Sequence, residues 1–311
     1  MTKKFTDEYV LINRIKQYFL HIPNSGKEVI IMLHGGPAIG GSYIAYYHRP
    51  YLDFCNVVYY DQRGAGKTRM KNKVKPESIS LEVLLEDLKQ TIQYVKEKYQ
   101  TDRVFLVGGS WGSVLGTQYI IRHPNDVKGL IAFGAIVDMA ASGKIWYEHL
   151  KQTILKTGKK GDIKKINAVD ADFPNYPNVS RNDYAKATIL LHKLEYKYGY
   201  RATDYVKIYR KSPLMTLRDG FQILNAEKFQ KNLLEELCDY NIRNIKEYQT
   251  PVYYILGRHD EWTSSTVAAE YFETIVAPKK RLYWVENGGH MLDTDNPSAF
   301  FGAVKEIISQ S

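Results

Sequence analysis

The chain has 311 residues, of which 44% are hydrophobic and 25% are charged, and these fractions are close to the averages of soluble globular proteins. This length allows one large domain or two ordinary ones, and together with the composition it argues against a disordered chain or a small disulfide-stapled scaffold. The formal net charge of +9 arises from 43 Lys+Arg against 34 Asp+Glu, but the basic residues are spread along the chain, so no nucleic-acid partner is expected.

The sequence also limits the compartment and the chemistry. No apolar run reaches the roughly 18 residues of a membrane span, so no membrane partner is expected. Residues 1–20 interleave charged and apolar positions, unlike a secretory signal, and the default compartment is therefore the cytoplasm. Cys55 and Cys238 lie far apart and outside any metal-binding spacing, so both are expected to be reduced thiols. Neither a metal nor an organic cofactor is expected.

Short and continuous apolar runs in the first half of the chain predict buried strands of a parallel sheet. These runs are 29–33, 56–60, 104–107 and 130–133. Behind Ser80, a favourable N-cap residue, apolar positions recur at helical spacing and predict a crossover helix. A second helix is expected to begin near Ser113 and to end before His123-Pro124. The alternation of strands and helices predicts parallel βαβ units and an α/β fold.

The pattern changes after Val137. Residues 138–249 contain no comparable strand run, and their long amphipathic stretches predict helices. Strand runs and a final helix then follow at 252–257, 282–285 and 298–308. We therefore predict a core in two parts, residues 1–137 and 250–311, which is interrupted by a helical cap at 138–249.

A G-x-S-x-G sequence, residues 108–112, follows the third predicted strand and precedes a helix. A serine on so sharp a strand-to-helix turn has a strained backbone, and the glycines at 108 and 112 let the strand and the helix pass each other. The amide of Trp111, at the helix N-terminus, can stabilise a developing oxyanion. The motif therefore predicts Ser110 as a nucleophile.

A serine hydroxyl needs a base that takes its proton and a carboxylate that orients this base. In this strand-turn-helix context the expected chain order is serine, acid, histidine. Asp260 and His290 follow the last two predicted strands, at the end of the sheet where sites collect. We therefore predict Asp260 as the acid and His290 as the base. The alternatives are His259 as the base and Glu261 or Glu286 as the acid.

The loop after the first predicted strand, Gly35-Gly36-Pro37, is expected to supply a second backbone amide near the nucleophile. Glycine allows the main chain to approach closely there, whereas a side chain would obstruct it. His34, which precedes this loop, is expected to organise it by hydrogen bonding.

Taken together, these motifs resemble the proline iminopeptidase family of α/β-hydrolases. The resemblance rests on His34-Gly35-Gly36-Pro37, on Asp61-Gln62-Arg63-Gly64-Ala65-Gly66, and on residues 108–113, 257–260 and 288–290. It implies an α/β-hydrolase fold, a mostly parallel sheet with flanking helices and an inserted helical cap, and a serine peptidase that releases an N-terminal residue, often proline, from short peptides. It also implies a triad of Ser110, Asp260 and His290, oxyanion amides at Gly36 and Trp111, and a loop-bracing role for Asp61 and Arg63.

An aminopeptidase must also bind the ammonium group of its substrate, and a carboxylate does this by a charge-assisted hydrogen bond. In the family one such acid ends a tryptophan-x-x-tryptophan-glutamate pattern, and its counterpart here is Glu195 in Leu-His-Lys-Leu-Glu, where leucines replace both tryptophans. The alternative for Glu195 is a solvated carboxylate that pairs with a nearby lysine. At the position of a second family acid stands Asn225, and Glu227 is a candidate substitute. These departures concern substrate preference rather than hydrolase chemistry.

The sequence thus predicts a cytoplasmic serine aminopeptidase that acts on short peptides whose first residue is proline or another small or apolar residue. One alternative is a carboxylesterase or amidase with the same triad and a small non-peptide substrate. Another, from a different class, is a non-catalytic ligand receptor on the same fold.

Overall fold

A mostly parallel sheet with helices on both faces forms the centre of the computed structural model, which describes residues 5–24, 26 and 28–311. The sheet has eight strands in the order β1-β2-β4-β3-β5-β6-β7-β8. The strands are β1 Thr6–Ile12, β2 Ile15–Ile22, β3 Val29–Leu33, β4 Asn56–Asp61, β5 Val104–Gly109, β6 Val127–Phe133, β7 Val252–Gly257 and β8 Lys280–Val285. From β4 to β8 in this order all neighbouring strands are parallel. The predicted α/β class is confirmed.

An antiparallel hairpin at the start of the chain was missing from the sequence prediction. Strand β1 pairs with β2, and β2 pairs antiparallel with β4 at the edge of the parallel part. The two-residue turn Asn13-Arg14 joins the hairpin strands with positive φ angles of 41° and 68°. Asparagine tolerates this conformation, which hairpin turns require. Two signals could have revealed the hairpin. One is this turn, and the other is the alternation of more exposed and less exposed residues along β1.

The helices of the described residues cover both faces of the sheet and the region between β6 and β7. They are α1 Ala45–His48, α2 Gly66–Lys71, α3 Leu81–Tyr99, α4 Trp111–Arg122, α5 Met139–Lys156, α6 Lys160–Asn167, α7 Arg181–Tyr198, α8 Tyr205–Lys211, α9 Leu217–Leu224, α10 Glu227–Leu237, α11 Ser265–Thr274, α12 Leu292–Asp295 and α13 Pro297–Ser309. None of the described helices is both long and apolar enough to cross a membrane.

Two helix boundaries show how the sequence directs local structure. The Ser80 side chain accepts a hydrogen bond from the Val83 amide and caps α3, as the sequence predicts. Helix α4 ends at Arg122, before His123-Pro124, also as predicted. It begins at Trp111 rather than near Ser113, because the turn that precedes it is completed within a single residue, Ser110.

Helices α5 to α10 lie between β6 and β7, within the region predicted as a cap. Three of them, α5, α6 and α7, contribute to an apolar cluster whose buried members are distinct from those of the two clusters on the faces of the sheet. Its members include Trp146, Leu150, Phe173 and Tyr184. The domain boundaries at 138 and 249 remain a prediction that this separate cluster supports.

Strand β5 lies between β3 and β6 in the centre of the sheet, and its Leu106 is completely buried. We expect Leu106→Ala to lower the free energy of unfolding by about 2–5 kcal/mol, because the substitution removes buried apolar contacts and leaves a cavity. Chemical denaturation measures this change. The matched control is Leu217→Ala, since Leu217 is 89% exposed, and we expect it to change the same quantity by less than about 0.5 kcal/mol. Equal losses for both variants would contradict this account of the core.

Candidate active site

Ser110 forms the turn between β5 and α4 in a strained backbone conformation. Its φ of 52° and ψ of −120° are rare for a residue with a side chain. The Ser110 amide donates to the Phe133 carbonyl at 3.0 Å, and the Ser110 carbonyl accepts from the Ser113 amide at 2.8 Å and the Ser113 hydroxyl at 2.6 Å. These bonds hold the turn in place and direct the serine away from both the strand and the helix.

Glycines two residues on either side of Ser110 make this turn possible. A Cβ atom at Gly112 would overlap the carbonyl group of Leu33, and one at Gly108 would overlap the carbonyl oxygen of Gly112. The first turn of α4 therefore packs directly against β3 and β5. This close packing is the physical reason for the G-x-S-x-G spacing.

Asp260 and His290 lie together at the same end of the sheet, in the loops after β7 and β8. His290 Nδ1 is 3.1 Å from Asp260 Oδ2 and 3.2 Å from Oδ1. The amide and hydroxyl of Thr263 also donate to this carboxylate, at 3.0 and 2.8 Å. Burial by itself would raise the pKa of Asp260, but His290 and the Thr263 donors together hold it below its ordinary value. Because an ionised carboxylate only accepts hydrogen bonds, Nδ1 of His290 is the donor to Asp260.

Ser110 and His290 both lie next to the end of β6. The Ser110 amide is bound to Phe133, the last residue of that strand, and the next residue, Gly134, packs against the imidazole of His290. Within the described part of the chain, no hydrogen bond joins Ser110 Oγ to His290. In hydrolases without substrate this bond is often long, and it shortens when substrate binds.

Gly36 and Trp111, whose amides the sequence predicts as oxyanion donors, lie near Ser110. All three residues line one cavity, and Gly36 adopts a φ of +123°, a conformation that favours glycine. Trp111 is the first residue of α4, so its amide has no acceptor within the helix. These two donors are available to a bound group.

A polar network braces the loops around these amides. The Trp111 indole donates to the side-chain oxygen of Gln62 at 3.0 Å, and the backbone amide of Gln62 donates to His34 Nε2 at 3.0 Å. The other ring nitrogen of His34 lies 2.9 Å from the carbonyl oxygen of Gly35. Gln62 thus connects the loop after β3 to the start of α4, with His34 as the organising residue expected from the sequence.

The neighbours of Gln62 support the same loops from further away. The Asp61 carboxylate accepts from the Ser42 amide at 3.1 Å and from the Lys67 amide at 2.7 Å. Arg63 forms two bonds of 2.8 Å to Asp87 on α3. Both contacts join separate segments of the backbone, and neither residue lines the cavity.

The cavity over Ser110 extends between the sheet and the helices α5, α7 and α10. Its empty volume is about 480 Å³, including its opening to solvent. It is lined by Gly36, Pro37, Ser110, Trp111, Ile136, Met139, Gly143, Trp146, Phe173, Tyr184, Thr188, His192, Leu234, Leu237, Trp262 and Thr263. The lining is mostly apolar. Among the residues that the structure describes, it contains no Asp, Glu, Lys or Arg, and it includes one histidine, His192.

Glu195 lies beside this cavity on α7, partly buried, and its Oε2 accepts a bond of 2.8 Å from the Trp146 indole. Burial raises its pKa, and the Trp146 bond opposes that rise. It is therefore not the solvated, lysine-paired carboxylate of the alternative interpretation. Glu227, in contrast, is 52% exposed and pairs with Lys193 at 2.6 Å. The exposed Asn225 donates to a backbone carbonyl of α9.

Sequence reasoning missed an aromatic cluster around His290. The centroid of the Trp262 ring lies 4.0 Å from that of His290 and 4.4 Å from that of His192. Trp146 stacks on Trp262 with 5.5 Å between the ring centroids. Burial, followed by the proximity of His290, lowers the pKa of His192 to about 3, so this ring is neutral. Trp262 could have been suspected because it is two residues from Asp260, whereas Trp146 and His192 are distant in sequence.

The alternative base and the two alternative acids have other partners than Asp260 and His290. His259 is exposed and stacks on Tyr200 at 4.2 Å. Glu261 pairs with His149 near the surface, and Glu286 is 68% exposed in a surface ion pair. The structure places none of the three against Asp260 or His290 as a hydrogen-bond partner within the residues it describes.

Comparison with known proteins gives a consistent assignment. A family model described as serine aminopeptidase, S33, matches residues 24–297. A probable aminopeptidase, YbaC, from Bacillus subtilis (strain 168) is 23% identical over 282 residues, which are 88% of this chain and 86% of that protein. A proline iminopeptidase from Heyndrickxia coagulans is 25% identical over 300 residues, 92% of each chain.

Solved structures share the fold. A proline iminopeptidase-related protein from Thermus thermophilus superposes with a TM-score of 0.68 at 21% identity, over 98% of both chains. A proline iminopeptidase from Mycobacterium smegmatis gives a TM-score of 0.69 at 17% identity, again over 98% of both chains. At these identities the similarity establishes the architecture, and the predicted α/β-hydrolase fold is confirmed.

Proposed function

Because the chain belongs to the serine aminopeptidase S33 family and is a hydrolase of the proline iminopeptidase type, we propose that it releases the N-terminal residue from short peptides. The observation that carries this proposal is the Glu195 carboxylate, which is partly buried beside the cavity and has no cationic partner among the described residues. A buried carboxylate without a counter-ion is costly, and a substrate ammonium group compensates that cost.

In the proposed mechanism His290 takes the proton of Ser110, whose oxygen attacks the scissile carbonyl carbon. Asp260 stabilises the resulting imidazolium, a role supported by its bond to Nδ1 and by the two Thr263 donors. The amides of Gly36 and Trp111 donate to the oxyanion. His290 then protonates the leaving amine, and water releases the acyl group from Ser110. The proposal involves no metal or organic cofactor.

The proposed ammonium site uses one oxygen of Glu195. Trp146 holds Oε2, and Oε1 accepts no hydrogen bond from the residues that the structure describes. The Trp146 ring also lines the cavity, and an indole face attracts cations. A free N-terminus would thus be bound by charge and by the neighbouring aromatic ring, and an acetylated one would not.

We expect Glu195→Gln to lower kcat/KM for free-amine aminoacyl arylamides by about 10- to 100-fold, since a hydrogen bond to a charged group contributes about 1.5–3 kcal/mol. Hydrolysis of an aryl ester without an amine should change much less. The pKa of Glu195 is raised by burial, so KM for free-amine substrates should increase as the pH falls through that raised value. The variant should lose this pH dependence.

The assay compares prolyl and alanyl arylamides, their N-acetylated forms and a short-chain aryl ester. Glu227→Gln is the matched control, because Glu227 is exposed and paired with Lys193, and we expect it to behave as the unsubstituted protein. Equal turnover of free and acetylated substrates would rule out the ammonium site. Turnover of the ester alone would favour a carboxylesterase.

A further inference from the structure

The chain that follows α7 packs against the loop of the proposed base. Just beyond the end of the helix, a Cβ atom at Gly199 would overlap the Glu195 carboxylate, so the main chain there lies directly against this group. One residue later, the ring and the carbonyl oxygen of Tyr200 border Gly289, the residue before His290. A single short segment therefore contacts both the carboxylate of the proposed ammonium site and the loop that carries the proposed base.

The carboxylate of Asp295, the last residue of α12, joins this segment to the same loop. Its Oδ1 accepts hydrogen bonds from the amides of Ala202 and Thr203, both at 3.1 Å. Its Oδ2 accepts a hydrogen bond from the Gly289 amide at 2.9 Å. One oxygen thus holds the chain after α7, and the other holds the residue that precedes His290. We call these three hydrogen bonds the Asp295 bridge.

The charge of Asp295 strengthens this bridge. The side chain is partly buried, and its three donors are all backbone amides. Burial raises the pKa of Asp295, and these amides oppose that rise. Hydrogen bonds to an ionised group are roughly twice as strong as those between neutral groups. The bridge is therefore suited to fix two backbone segments that are distant in sequence.

A ring contact beside the bridge joins the same segment to the loop of the proposed acid. Tyr200 stacks on His259 with 4.2 Å between the ring centroids. The amide of His259, the residue before Asp260, donates to the carbonyl of Gly288 at 3.0 Å. The loops that carry Asp260 and His290 are thus tied to each other, and the segment after α7 packs on both.

We propose that Asp295 is a positioning residue, which fixes the end of α7 against the His290 loop and so sets the distance between the ammonium site at Glu195 and the reacting groups. The inference rests on the proposed aminopeptidase function. An aminopeptidase must hold the substrate amine while the first carbonyl carbon lies next to Ser110. A displacement of about 1 Å can lower such a rate by about 100-fold.

The bridge should matter most for substrates that use both sites. A free-amine arylamide needs the ammonium site and the nucleophile at the correct separation, whereas an aryl ester without an amine needs only the nucleophile, the base and the oxyanion donors. Loosening the segment after α7 should therefore weaken arylamide hydrolysis more than ester hydrolysis. A residue that only stabilised the fold would lower both activities to the same extent.

Asp295→Ala is compared with the unsubstituted protein by kcat/KM for an alanyl arylamide and a short-chain aryl ester. We expect the arylamide-to-ester ratio to fall by about tenfold. Asp295→Asn retains the size of the side chain and one acceptor oxygen, so it keeps one side of the bridge, and the ratio should fall by about threefold. This variant tests the inference even if Asp295→Ala does not fold.

Asp204→Ala is the matched control. Asp204 lies in the same stretch of chain, but its carboxylate accepts a hydrogen bond from the Lys207 amide of its own helix, α8, at 3.1 Å. The substitution removes an aspartate close to the bridge without removing an acceptor from it. We therefore expect the arylamide-to-ester ratio to stay unchanged.

A double-mutant cycle with Glu195→Gln tests whether Asp295 acts through Glu195. Once the carboxylate at this position is gone, its placement no longer affects the substrate amine, so Asp295→Ala should add little to the fall in the arylamide-to-ester ratio. Two independent losses that multiply would overturn the positioning role. So would equal losses of arylamide and ester hydrolysis in Asp295→Ala alone.

Hydrogen exchange of the backbone amides separates this inference from the proposed function. In Asp295→Ala the amides of Ala202, Thr203 and Gly289 lose their acceptor, and peptides that contain them should exchange about tenfold faster or more. Asp204→Ala should leave exchange of the Gly289 peptide unchanged. Unchanged exchange in Asp295→Ala would overturn the bridge for every substrate. If esters but no arylamide are hydrolysed, the aminopeptidase function fails, and faster exchange at these amides would still support the bridge.

Discussion

Replacing Ser110 with alanine is expected to lower kcat for arylamides and esters by about 10⁴- to 10⁶-fold, because the proposed mechanism loses its nucleophile while the oxyanion donors remain. The substitution removes only the side-chain hydroxyl. The strained turn is held by bonds of the Ser110 amide and carbonyl, which alanine retains. We therefore expect the variant to fold, and thermal unfolding should show a midpoint close to that of the unsubstituted protein.

A fluorophosphonate probe provides the second readout for this prediction. It should label the unsubstituted protein covalently and leave Ser110→Ala unlabelled. Ser298→Ala is the matched control, because Ser298 is an exposed serine on α13, and it should be labelled normally. Absence of labelling in the folded, unsubstituted protein would favour a ligand receptor that uses this fold without catalysis.

Asp260→Asn is expected to lower kcat by about 10⁴-fold. Both carboxylate oxygens now accept hydrogen bonds, from His290 and from the amide and hydroxyl of Thr263. Asparagine replaces one acceptor with an NH₂ donor, which would face either Thr263 or Nδ1 of His290. The imidazolium formed during catalysis would also lose the negative charge beside it. Steady-state kinetics should show that kcat and kcat/KM fall together, since the interaction is made in the transition state.

Glu261→Gln is the matched control for this second prediction. Glu261 is adjacent to Asp260 in sequence, but its carboxylate pairs with His149, so we expect its replacement to leave kcat within a few-fold of the original value. If Glu261→Gln abolished activity while Asp260→Asn retained it, the acid would have to be reassigned to Glu261.

Local patterns were sufficient to predict much of the fold and the proposed reacting groups. The buried strands are continuous apolar runs, and the turn at Ser110 depends on glycines two residues away, so both are visible in short stretches of chain. The hairpin β1–β2 was overlooked because its strands alternate weakly and its turn signal, Asn13-Arg14, is short.

The surroundings of the site could not be predicted in the same way. Trp146 and Glu195 are distant in sequence, and only the packing of α5 against α7 turns the carboxylate into a buried acceptor of an indole hydrogen bond. The same packing, with α10, places Thr188 and Tyr184 at the wall of a mostly apolar cavity. No local pattern distinguishes these residues from ordinary helix positions.

The sequence by itself determined the α/β class, the strained serine turn and the order of Ser110, Asp260 and His290, because each depends on backbone conformation and hydrophobic pattern within a few residues. Only the tertiary structure decided which carboxylate lies beside the cavity and which residues of α7 line it. Their burial, their partners and the pKa of Glu195 depend on long-range packing between separate helices, and such contacts are properties of the folded chain rather than of any short segment.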